Sequence, residues 1–376
     1  MSEWKEIELG RIVNFYNGKK RPYIKGNIPV FGGNGILDYC NSFNSQGESI
    51  IIGRVGEYCG NVNYYSGFCW ISDNAILVKI KEELKEELNV KYLYYYLISA
   101  KLREFQVGSS QPLITQEILK NIIILLPPLP EQKAIAEVLS SIDDKIELLH
   151  RQNKTLEEMA MTLFRQWFIE PTKDVLPEGW EEGSLGEIFD IGIGRTPPRK
   201  ESQWFSVNQQ DIRWISVKDL GSIDTYILNS SEFLKEEAVK EFNIPIIPDN
   251  TVVLSFKLTV GRIGITIGEM VSNEAIAHFK PKPDSKISSN YIYLFLKNLD
   301  YGTFGSTSSI AEAINSKIIK EIKIHVPDDE LITSFQSLIN PVFQKIRLNT
   351  LEIQTLEKLR DTLLPKLMNG EVRVKF

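Results

Sequence analysis

Glu131-Gln-Lys-Ala-Ile-Ala-Glu-Val-Leu-Ser-Ser-Ile-Asp-Asp-Lys-Ile-Glu-Leu-Leu149 sets Ile135, Leu139, Ile142, Ile146 and Leu149 at alternating steps of four and three. That spacing lines one face of a helix and is the seam of a coiled coil. The seam runs on through Asn153, Leu156, Ala160, Leu163 and Trp167. At a fixed offset of 200, with no gap, it returns as Phe335, Ile339, Val342, Ile346, Asn349, Ile353, Leu356, Arg360, Leu363 and Leu367. One such stripe could pack on its own globule as an ordinary amphipathic helix. Two matched helices of about 35 residues would each span roughly 50 Å, too long for a small domain to cover, and so need each other.

Outward from the seam, Pro127-Pro-Leu-Pro130 breaks the chain before the first helix opens. The segments on either side of that helix repeat one another. Trp4-Lys-Glu-Ile-Glu-Leu9-Gly10-Arg-Ile12 returns as Trp180-Glu-Glu-Gly-Ser-Leu185-Gly186-Glu-Ile188, and Gly18 as Gly194. Gly53-Arg54-Val55-Gly56 aligns with Gly261-Arg262-Ile263-Gly264, and Ser72-Asp-Asn-Ala-Ile76 with Ser272-Asn-Glu-Ala-Ile276. Short apolar runs, Gly-Asn turns and one helical stretch in each half read as mixed α and β. The fold class is therefore α+β: two mixed α/β domains separated by two long helices in an antiparallel coiled coil, with a pseudo-twofold internal repeat. The expected divisions are 1–130, a helix over 131–170, a linker and second domain over 171–327, and a second helix with tail over 328–376. With the axis near the middle of the seam, Asn153 and Asn349 share a layer. Their amides then either satisfy each other, fixing register and direction, or reach solvent.

At 376 residues, 43% hydrophobic and 24% charged, the chain has the composition of a folded protein of two or more domains. No run approaches the roughly 18 apolar residues of a membrane span, and Met1 leads into Ser2-Glu3-Trp4-Lys5 with no apolar signal region, so a cytoplasmic protein is expected. Cys40, Cys59 and Cys69 form no CxxC pair and lie far in sequence from His150, His278 and His325, which argues for reduced thiols and against a zinc site. Phosphate-loop, HExxH, GxSxG and GxGxxG signatures are absent, and Asn340-Pro-Val-Phe343 lacks the second proline of an amino-methyltransferase tetrapeptide. No catalytic role is expected of the chain by itself.

The polar chemistry of the globules is that of recognition. In the first, Lys19, Lys20 and Arg21 precede the glycine-rich loop of Asn34, and Arg54, Tyr58 and Asn61 follow. In the second, Arg195, Thr196, Arg199, Lys200 and Gln203 precede Lys218, Lys257, Thr259 and Arg262. Such side chains read base edges or grip phosphates. The plainer readings are a solvated surface for the basic run, a hairpin turn for Gly-Arg-x-Gly, and packing for Tyr92 and Tyr94 to Tyr96. The small polar loops 108–111 and 305–309 are either phosphate contacts or connectors. A net charge of -6 weighs against nucleic acid unless a basic face is local.

In this layout the chain resembles the specificity subunit of Type I restriction-modification systems over essentially its full length. The stretches that carry the likeness are Trp4 to Gly10, Ile28-Pro-Val-Phe-Gly-Gly-Asn-Gly35, Ile52 to Gly56, Pro127 to Gln132, Leu176-Pro-Glu-Gly-Trp180, Gly194-Arg-Thr-Pro197, Trp214 to Asp219 and Leu363 to Gly370. Pro327-Asp-Asp-Glu330 departs from the Pro-Pro-Leu-Pro of the first copy. The resemblance implies that each globule reads half of a bipartite site in double-stranded DNA, at 18–35 and 53–63 in one and 194–204 and 257–262 in the other. It further implies that the helices dock two methyltransferase subunits. These partners carry S-adenosylmethionine and methylate adenine, and restriction subunits join for ATP-driven cleavage. No cofactor is expected in this chain. The competing reading is a coiled-coil scaffold whose globules bind protein partners.

Overall fold

The structure, a computed structural model, describes residues 4–108, 112–304 and 316–375. Two compact units emerge, Met1–Ile146 with Thr355–Phe376, and Glu147–Gln354. Each takes one globule together with a stretch of both long helices, so the division falls across the helices and not at their ends.

In the first unit, the strand Lys5–Glu8 pairs antiparallel with Ile123–Leu126 and closes the globule. A four-stranded antiparallel sheet runs Val13–Asn17, Ala75–Ile80, Glu48–Gly53, Val62–Ser66, beside a three-stranded sheet of Gly35–Cys40, Ile28–Gly32 and Trp70–Ile71. The period of two sorts the apolar run Ile50-Ile51-Ile52 between two cores. Ile50, Ile52, Ile76 and Val78 pack with Leu93 and Leu97 of the helix Val90–Ser99. Ile51 and Leu77 turn the other way, to Phe31. Asn89 caps that helix by accepting from Tyr92 N at 2.9 Å. Tyr92 and Tyr95 are buried in packing.

The second unit rebuilds the plan with a pair of Glu181–Ser184 and Lys323–Val326, a five-stranded sheet and a four-stranded one. Val252, Leu254, Ala277 and Phe279 face the large core; Val253 and Ile276 face a smaller one with Ile215 and Met270.

Both units contain antiparallel helix pairing. In the first, Ile135, Ala136 and Leu139 share a core with Leu364, Leu367 and Met368, while Asp143 accepts from Arg360 at 3.0 Å and from the Tyr95 hydroxyl at 2.6 Å. In the second, Asn349 Nδ2 donates to the buried Asn153 Oδ1 at 2.8 Å, and Phe164 meets Phe335 at 6.1 Å between ring centres. Residue numbers fall along one helix as they rise along the other. The expected seam needs correction where the helices meet their globules. Phe164, Phe168, Phe343 and Leu364 are buried, whereas Leu163, Trp167, Val342 and Leu363 are only half-buried. The reason is a second packing partner. Tyr291 sits 5.0 Å from Phe164 and Tyr293 sits 5.6 Å from Phe343, which turns the stripe toward the globule, and a π turn at Arg165–Ile169 adds to the rotation.

Cys40, Cys59 and Cys69 are buried and unbridged. Among the described residues, no helix is long and apolar enough to cross a membrane.

Candidate nucleic-acid interface

One turn organises each candidate surface. In the first unit Gly18 N donates to Ala75 O, Lys19 N to Ile71 O, Ser72 N to Phe31 O and Arg54 N to Asn74 O, all at 2.9 to 3.1 Å. In the second, Gly194 N donates to Ile276 O, Arg195 N to Ser272 O, Asn273 N to Ile215 O and Phe256 N to Ala275 O, at 2.9 to 3.2 Å. The turn leaves no room for a side chain at its entry: a Cβ on Gly18 would lie 1.8 Å from Ser72 O, and one on Gly194 2.2 Å from Ser272 O. An indole closes each turn, with Trp70 Nε1 donating to Lys19 O at 3.1 Å and Trp214 Nε1 to Arg195 O at 3.3 Å. Trp70 stands on the second strand of the first unit's parallel pair and Trp214 on the first strand of the second unit's equivalent pair, so they do not occupy matching positions in the repeat.

The hydrogen bonds correct two alignments. Ser72-Asp-Asn-Ala75 matches Asn273-Glu-Ala-Ile276, one residue beyond the match expected from sequence identity. A one-residue slip would exchange the two faces of the strand that follows, and only the corrected register sets Ile76 and Val78 with Ala277 and Phe279 in the large cores. Likewise Gly261-Arg262 corresponds to Gly60-Asn61, not to Gly53-Arg54. Gly60 N donates to Gly53 O and Gly261 N to Ser255 O, and the two glycines have φ of 86° and 87°. Arg54 and Arg262 thus lie on opposite arms of equivalent hairpins.

The first unit brings Asn34, Tyr58 and Asn61 together. Asn61 Nδ2 stands 3.5 Å from Asn34 Oδ1, and Gly33 packs on the hairpin, where a Cβ at its position would lie 3.3 Å from Gly53 and from Tyr58. Arg54 is half-buried on the other arm. Lys19 and Lys20 are exposed, Lys20 Nζ lying 5.4 Å above the ring of Tyr23. Arg21 lies apart, 3.5 Å from Asp38.

The second unit gathers Thr196, Lys218 and Arg262 near the turn. The Thr196 hydroxyl donates to Glu274, and Arg262 Nη1 donates to Val217 O at 2.6 Å beside the exposed Lys218. Asp219 holds that loop by accepting from Ser216 N at 2.8 Å, Ser216 Oγ at 2.6 Å and Ser231 N at 2.9 Å. Burial alone would raise its carboxyl, but these donors outweigh it and keep the acid below its ordinary range. Lys257 and Thr259 are exposed at the hairpin tip. Three candidates engage local partners with their side chains. Arg195 donates to Phe242 O at 3.1 Å, Gln203 lies 3.3 Å from Glu201, and Arg199 makes a bidentate pair with Glu232 at 2.8 and 3.0 Å while packing over the rings of Phe205 and Trp214. Arg199 is thereby tied into the small sheet; Lys200 next to it is exposed. Residues 109–111 and 305–309 of the two small polar loops lie outside the described residues.

Beneath the second turn, Ser272 Oγ and His278 Nε2 stand 2.7 Å apart in full burial. Burial, helped by Lys280, lowers the imidazole to about 3, so it is neutral.

The family described as Type I restriction modification DNA specificity domain matches residues 1–158 and 177–359. The Type I restriction enzyme MjaIX specificity subunit of Methanocaldococcus jannaschii is 27% identical over 100% of this chain and 97% of its own length. The HindI specificity subunit of Haemophilus influenzae is 23% identical over 75% of this chain and 77% of its length. A crystal structure of the Type I restriction-modification S subunit from M. genitalium shares the fold, with a TM-score of 0.62 at 20% identity over 97% of this chain and 96% of that one. The chain therefore belongs to the Type I restriction-modification DNA specificity family and carries two copies of its domain.

Proposed function

We propose that this chain is the DNA-reading subunit of a Type I restriction-modification complex, each unit reading one half of an asymmetric bipartite site. The observation that carries the reading is a scaffold built twice with different side chains on it. Equivalent turn-and-hairpin frames present Asn34, Tyr58 and Asn61 in one unit and Lys218, Lys257, Thr259 and Arg262 in the other. A shared frame suits the shared task of approaching a duplex, and unlike side chains suit unlike base sequences. Lys19, Lys20, Arg54, Thr196 and Lys200 fit the phosphate-gripping part, whereas Arg21, Arg195, Arg199 and Gln203 act through the local structure they brace. The helices dock two methyltransferase subunits, which bring S-adenosylmethionine and methylate adenine, and restriction subunits join with ATP. The overall charge of -6 is compatible with this, since partner subunits share the phosphate grip.

Purified with its methyltransferase subunits, the chain binds duplex DNA with an affinity that falls steeply between about 50 and 200 mM salt. Salt-insensitive or absent binding by that complex would favour a scaffold for protein partners.

A further inference from the structure

Leu258 is 73% exposed at the tip of the hairpin between the strands Val252–Ser255 and Ile263–Thr266, and its φ is 65°. Both facts run against its chemistry. A γ-branched apolar side chain gains nothing in water, and the left-handed region is disfavoured for any residue with a Cβ. In the matching hairpin of the first unit the left-handed position is taken by Gly56, with φ of 74°, which carries no such penalty.

The hairpin is built so that this conformation holds. Ser255 Oγ donates to Thr259 O at 2.6 Å and accepts from Arg262 N at 3.0 Å, while Gly261 N donates to Ser255 O at 3.0 Å. Phe256 is buried and tied to the central turn through Ala275 O. Lys257, Leu258 and Thr259 are left as an exposed tip. Strain kept in place by surrounding bonds points to a function at the strained residue.

We propose that Leu258 is a specificity residue that packs on the 5-methyl group of a thymine in the major groove of the half-site read by the second unit. The proposal rests on the DNA-reading function above. A two-stranded ribbon fits the major groove and not the narrower minor groove, and the thymine methyl is the apolar feature that base edges display there. Lys257 and Thr259 on either side supply a cation and a hydroxyl for the phosphates and polar edges around that methyl.

The test selects bound duplexes from a randomised DNA library with the full chain assembled with its methyltransferase subunits. The library is made once with thymidine and once with deoxyuridine, which lacks the methyl. Leu258→Gly is the variant, because it removes the side chain and relieves the left-handed strain, so its thermal midpoint is expected to equal or exceed the wild type. The wild type should prefer thymine at one position of one half-site by about fourfold, the value of one buried methyl-sized group. Leu258→Gly should lose that preference and no other, and deoxyuridine should abolish it for the wild type. Unchanged selectivity in Leu258→Gly would overturn the proposal, as would a loss that deoxyuridine does not reproduce. If the wild type selects no motif at all, it is the DNA-reading function that fails.

Discussion

His278 has a fully buried ring whose Nε2 meets Ser272 and whose Nδ1 has no partner among the described residues. Its unfolded form takes up a proton near 6.5, while the folded form resists until about 3. Over that interval the unfolded chain binds more protons, so His278 favours folding at neutral pH and that contribution is lost as pH falls from 6.5 toward 3. Replacing it with Asn should flatten the fall of the denaturant midpoint between about pH 7 and pH 4.5; an unaltered slope would count against this account. The basic candidates also separate by their partners. Lys218→Ala should leave the melting temperature unchanged and reduce the salt slope of DNA binding by about one. Arg199→Ala breaks a paired, ring-stacked guanidinium that stays partly in solvent and should lower stability by about 0.5 to 1 kcal/mol with no comparable change in slope. Sequence alone cannot make that distinction: Arg199 and Lys200 are adjacent and equally basic, and only Glu232, brought in by strand pairing, tells them apart.

The long helices were the most legible elements, because an apolar period of about 3.5 residues sustained over ten turns arises only where helices pair along their length. Their ends were less legible. There the burial of Phe164 and Phe343 answers to Tyr291 and Tyr293, whose placement needs the tertiary fold. The globule repeat was legible in outline but slipped by one residue at its central turn, where a shared serine outweighed the alternation of strand faces. Within the helix pair, the asparagines make one hydrogen bond and leave Asn153 Nδ2 and Asn349 Oδ1 without partners among the described residues. Replacing both with Leu removes those unmet groups and should raise the thermal midpoint, whereas Asn349→Leu alone strands the other amide and should cost about 1 to 3 kcal/mol. An unchanged midpoint in the double variant would contradict the cost assigned to the unmet groups, and a lowered one would show that the asparagine pair stabilises more than an apolar pair.

At the scale of the whole molecule, duplication accounts for two readers in one chain: a frame fixed by backbone hydrogen bonds tolerates exchange of the side chains it displays. Transplanting another tip sequence onto residues 257–259, the exposed part of the hairpin, should therefore change one half of the recognised motif and leave the other half intact, as read by sequencing of selected duplexes. Which bases are read was not legible, since this depends on where hairpin tips meet a duplex and not on residue type alone. The central claim is that this chain directs a modification complex to a bipartite site. It is tested most directly by mapping adenine methylation across the genome with and without this gene while the partner genes are expressed. One asymmetric two-part motif is expected to lose its methylation when the gene is removed; persistence of every such motif would contradict a role for this chain in choosing the site.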